Sequence, residues 1–172
     1  MKRVSCPFRT LLSVAPVAIL FAVSVPVSAQ LRPLTVAEES GFKATSRHAD
    51  VISFIRELQG NSSQVRVEII ATSAEGRRIP MLVIGDPVPA SPADLAHDDR
   101  AVVYFQANIH AGEVEGKEAV LMLARDMLAG QTADYLDELV ILMVPNFNPD
   151  GNEKISTSNR RNQHGPERGV GI

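Results

Sequence analysis

The sequence predicts an α/β fold, a mixed and mostly parallel sheet with flanking helices, present as an incomplete domain. Three observations carry this expectation. The near-continuous apolar run Ala101-Val102-Val103-Tyr104-Phe105 is followed by helical periodicity over Gly116 to Leu128 and then by a second apolar run, Leu139 to Val144. Strand, helix and strand in that order imply a parallel βαβ crossover. Ahead of them, Val65-Arg66-Val67-Glu68-Ile69 alternates with a period of two and Ile79 to Ile84 is again β-rich. The two runs form an antiparallel hairpin about the turn-like Ser73-Ala74-Glu75-Gly76-Arg77. Past Gly151 the chain turns polar and reaches Gly171-Ile172 with no element to close on.

From the N-terminus, Lys2, Arg3 and Arg9 precede an apolar run from Leu11 to Val27 that ends in Val27-Ser28-Ala29. A basic stretch, an apolar stretch and small residues at the cut make a secretory signal peptide. Ser13, Pro16, Ser24 and Pro26 interrupt the run, which is short for a membrane span of about 20 apolar residues. Residues 1–29 are thus expected to be a signal and 30–172 the mature chain, the product being secreted or periplasmic without membrane association after cleavage. Removal leaves 143 residues with 14 basic against 20 acidic side chains, a formal charge of about −6. That balance, with no basic tract, argues against a nucleic-acid partner. The single cysteine, Cys6, lies inside the signal, which excludes disulfides and thiol catalysis in the exported chain.

Val36 onward, with Ile52, Ile55 and Leu58 on one face, reads as a helix ended by Gly60-Asn61. The hairpin reads as the edge of a sheet. Asp86 to Asp99, with Pro87, Pro89 and Pro92, is a surface loop. The run 101–105, apolar at successive positions, is expected to be central with both faces covered. Ala119, Val120, Leu123, Ala124, Met127 and Leu128 mark the apolar side of the next helix, and Glu113, Glu115 and Glu118 lie towards its N-terminal end, where the dipole favours acids. Pro145 and Asn148-Pro149-Asp150-Gly151 close the last strand in a turn.

Between the central strand and its helix stands Asn108-Ile109-His110-Ala111-Gly112-Glu113, a histidine and a glutamate three apart. Ligands of open α/β sheets bind outside the C-terminal strand ends, where this pair falls. Imidazole nitrogen and carboxylate oxygen suit zinc, and Gly112 lets the backbone bend so that both converge. On spacing alone, a histidine at a strand end and a glutamate at a helix N-terminus is the plainer reading. Neither HExxH nor HxxEH is present, which removes two metallopeptidase classes.

Taken together, the HxxE pair after a strand, the helix, the strand ending in Asn-Pro-Asp-Gly, the hairpin Ser73 to Pro80, and Asn159-Arg160 with Asn162-Gln163-His164-Gly165-Pro166 resemble the M14 zinc carboxypeptidases. The resemblance implies a peptide substrate and zinc held by two histidines and one glutamate, with His110 and Glu113 as the first two ligands. It also implies metal-assisted hydrolysis with a separate glutamate as general base. Arg160, with Arg161 as second choice, would bind the substrate's terminal carboxylate or the oxyanion, as a planar, permanently charged guanidinium can; a solvated basic loop is the alternative. The family's third ligand and general base are expected further along than Ile172, so this chain alone is expected to hold zinc weakly and hydrolyse negligibly. His48, His97 and His164 are expected to be surface residues. Two other functions compete: a zinc amidohydrolase of the aspartoacylase or desuccinylase type, and a non-catalytic zinc-binding fragment or interaction module.

Overall fold

A computed structural model describes residues 33–131, 133–160 and 165–172. The proposed signal, Arg161 and His164 lie outside the described residues. The elements run α1 (Val36–Glu39), α2 (His48–Asn61), β1 (Val65–Thr72), β2 (Arg78–Ile84), β3 (Ala101–Gln106), α3 (Val114–Leu128), β4 (Leu139–Val144) and α4 (Pro149–Glu153), with 3₁₀ turns at Asp94–His97 and Ala133–Asp137.

The sheet order is β1-β2-β4-β3. β1 and β2 are the expected hairpin, pairing Val65 with Ile84 and Thr72 with Arg78, with an irregularity between Ile69 and Ala71. β2 pairs with β4 antiparallel, and β3 with β4 parallel from Ala101–Leu139 to Gln106–Val144. The sheet is therefore mixed and flanked by helices, as the sequence predicts, although among the described residues two of its three pairings are antiparallel.

Two expectations about helix extent and strand order need correction. The segment from Val36 is not one helix: α1 is a single turn closed by reciprocal Thr35–Glu38 hydrogen bonds, a capping box, and α2 starts afresh at His48. β3 is not central. The crossover through α3 sets β4 on its inner side, where β2 completes the ladder, and among the described residues no strand pairs with its outer edge. Val102 and Tyr104 are each 49% exposed.

The core joins both long helices to the sheet. Val51, Phe54, Ile55 and Leu58 of α2 and Val120, Leu121, Ala124 and Met127 of α3 cluster with Val65, Leu82, Ile84, Ile141 and Met143. Each fully buried large aliphatic contributes about 1.5–3 kcal/mol. The α3 face differs from the apolar stripe predicted. Ala119 and Leu123 are exposed, while the buried side runs through Val114, Lys117, Leu121 and Ala124. A lysine thus stands where periodicity calls for an apolar residue.

Candidate metal centre

The parallel pair carries the site at its C-terminal end. Beyond β3 and β4 the two chains stay tied, Ala107 N–H donating to Val144, Phe147 N–H to Ala107 and Asn148 N–H to Asn108. Asn108 then takes a left-handed backbone, φ 58°, which asparagine tolerates better than most side chains. This turn leads into the loop before α3. Glu113 N–H closes onto the His110 carbonyl at 2.9 Å, bringing the two side chains to one side.

His110 Nδ1 lies 3.1 Å from Glu113 Oε1, and both side chains are exposed. Two donors sharing one tetrahedral zinc, each about 2 Å from it, sit about 3.3 Å apart. The separation and the nitrogen–oxygen donor set thus fit one zinc ion. Arg160 completes the cluster, its Nη2 3.4 Å from the same Glu113 oxygen. The His110 ring holds the Glu113 carboxyl below the ordinary glutamate range; desolvation opposes it, and Arg160 adds a lesser lowering. Among the described residues no third histidine, cysteine, aspartate or glutamate joins a metal-sized group.

Gly112 serves this geometry through space rather than through unusual torsion. A Cβ there would lie 2.6 Å from Arg160 Nε and 3.1 Å from the Gly171 carbonyl, so the missing side chain is what lets Arg160 cross the loop. Arg160 is delivered by a tail pinned where Asn159 Nδ2 donates to the carbonyls of Lys154 and Val170, both at 2.7 Å, and where Ser156 bridges Val170.

The other motifs meet beside this loop. Asp150, of the Asn-Pro-Asp-Gly turn, accepts from Ser73 Oγ, Glu75 N–H and Arg77 Nη1, locking the hairpin turn onto α4. Asn148 caps α4 by accepting from Gly151 N–H at 2.9 Å.

Sequence reasoning missed the buried polar network behind the loop. Lys117, fully buried, donates to the Ser46 carbonyl and to Asn152 Oδ1 at 2.6 Å. Asn108 Nδ2 reaches that same oxygen at 3.3 Å and Asn146 Oδ1 at 2.7 Å. Burial pushes the Lys117 amine down to about 8 despite neighbouring carboxylates. Glu118, also buried, accepts from Thr45 Oγ1, Ser46 N–H and Ser46 Oγ and so anchors the lead-in to α2. The signal available in the sequence was Lys117 itself, at helical spacing among Val114, Leu121 and Ala124. His97 is exposed as expected. His48 is half-buried instead, with Nδ1 enclosed and burial lowering its pKa.

An open α/β sheet presenting these donors beyond a parallel strand has the architecture of the carboxypeptidases. Carboxypeptidase A from Helicoverpa armigera superposes with a TM-score of 0.52 at 24% identity, over 64% of this chain and 26% of that one. Thrombin-activatable fibrinolysis inhibitor gives 0.54 at 16% identity, over 66% and 28%. Residues 51–171 match the family described as zinc carboxypeptidase, Peptidase_M14, and the chain belongs to that family of hydrolases. Carboxypeptidase 2 of Trichophyton rubrum is 29% identical over 114 residues, and probable carboxypeptidase 2 of Arthroderma benhamiae 30% over 114 residues. Each alignment covers 64% of this chain and 21% of the relative, so the chain spans about a fifth of their length.

Proposed function

We propose that this chain forms part of the catalytic domain of an exported, zinc-dependent metallocarboxypeptidase that removes C-terminal residues from peptides. His110 and Glu113 supply two of the zinc ligands, and residues 1–29 act as the export signal of a domain that occupies 30–172. The observation that carries this reading is the approach of one Glu113 oxygen to His110, at 3.1 Å, and to Arg160, at 3.4 Å, in a chain of this family. When bound, zinc supplies Lewis-acid polarisation of the scissile carbonyl. The Glu113 carboxyl, already held in its charged form, is ready to ligate without first losing a proton. Arg160 brings a permanent positive charge next to the pair, where it can turn from Glu113 to a substrate carboxylate or a developing oxyanion. Arg161 is the second candidate for that role.

The names of the curated relatives and the Asn-Pro-Asp-Gly turn favour a peptidase over an acyl-amino-acid hydrolase. With two ligands from its described residues, the 172-residue chain on its own is expected to bind zinc weakly and show negligible hydrolysis. Titration with Co²⁺, followed by its visible absorption, tests the ligand assignment. His110→Ala and Glu113→Gln should each weaken binding by about tenfold or more, while His97→Ala leaves it unchanged. Equal affinity in all three would overturn the assignment.

A further inference from the structure

A buried ammonium on the apolar side of a helix is costly, and two neutral acceptors with the Glu118 carboxylate 3.9 Å away offset that cost only in part. An aliphatic side chain would fill the same position without it. At Lys117 the amine instead ties together segments distant in sequence. It holds the carbonyl of Ser46 ahead of α2 and the Asn152 side chain of α4 from its own place on α3. Asn152 Oδ1 in turn holds Asn108 Nδ2, whose other bond runs to Asn146 just past β4. All four side chains are at least 98% buried.

Asn108 is where this network bears on the site. Its left-handed torsion lies two residues before His110 and sets the direction in which the chain leaves β3. Lys117 itself lies one helical turn after Glu113, so the loop bearing both donors is gripped at each end by the same chain of hydrogen bonds. We infer that Lys117 is a positioning residue for the His110–Glu113 pair, acting through Asn152 to fix the Asn108 turn that aims the loop. The inference rests on the metal-binding reading of that pair.

The test compares the 172-residue wild-type chain with Lys117→Met, Asn108→Gly and a control, Leu58→Ala, whose lesion lies in the apolar core and removes no member of the polar network. Two properties are measured, Co²⁺ affinity and the ¹⁵N NMR signals of the Asn108 side-chain amide and the His110 backbone. Lys117→Met and Asn108→Gly should each weaken Co²⁺ binding about tenfold, as loss of an outer support commonly does. Both should shift the His110 signal, and Lys117→Met should also shift the Asn108 amide. Leu58→Ala should lose stability with affinity and signals unchanged. Glycine accepts a φ of 58° without strain, so Asn108→Gly decides the matter should Lys117→Met fail to fold. Unchanged affinity together with unchanged His110 signals in the folded variants would overturn the inference. If wild type binds no Co²⁺, the metal reading fails by itself, and the NMR signals alone then decide whether Lys117 sets the loop.

Discussion

At the scale of single residues, a few side chains have surroundings that override their usual habits. Lys117 is the clearest, with its folded pKa of about 8 against an ordinary value near 10.5. Between those values the folded chain has shed a proton that the unfolded chain keeps, so stability rises with pH across that window. Below about pH 8 both states hold the proton and the contribution is lost. Wild type should therefore gain on Lys117→Met by an amount on the order of 3 kcal/mol between pH 7.5 and 10, read from urea unfolding at each pH. A constant difference would show that Lys117 titrates normally. Gly112 is as tightly constrained. Gly112→Ala should drive Arg160 from Glu113, because the added methyl would sit 2.6 Å from its Nε, and the Glu113 carboxyl should titrate higher in ¹³C NMR.

At the scale of elements, the hairpin, α3, β4 and the parallel crossover were legible because their periods of 2 and 3.6 are set by burial of one or both faces. Leu121, fully enclosed on α3, shows the energy behind that pattern: Leu121→Ala should cost about 2–5 kcal/mol in chemical unfolding. Periodicity failed in two places for different reasons. The run Ala101 to Phe105 carries residues suited to a strand covered on both sides, yet edge or centre is decided by which strand lies next to it, which local pattern does not encode. The Lys117–Asn152–Asn108–Asn146 chain escaped because lysine and asparagine register as surface residues in any hydropathy reading. Their burial depends on partners as far apart as Ser46 and Asn152. The His110–Glu113 pair was visible from spacing and from the order of neighbouring motifs. Its approach to Arg160 was not, since it needs a tail folded back by Asn159 across a glycine.

For the whole molecule, the sheet of the described residues ends at β3, the strand that leads into the His110–Glu113 loop. β3 leaves Val102 and Tyr104 half exposed, and Ile109 beside His110 is 47% exposed. An unpaired apolar edge of this kind promotes association between chains. The isolated 172-residue chain should sediment with increasing mass as concentration rises, and Val102→Lys should reduce that trend without loss of α3 or β4 signals in NMR. The His110–Glu113 loop follows directly on this edge strand, in a chain that spans about a fifth of its curated relatives. The most direct test of the assignment is a crystal of the zinc-soaked chain with diffraction recorded on both sides of the zinc absorption edge. The account predicts an anomalous peak about 2 Å from both His110 Nδ1 and a Glu113 carboxylate oxygen. A peak on other residues, or none at saturating zinc, would contradict it.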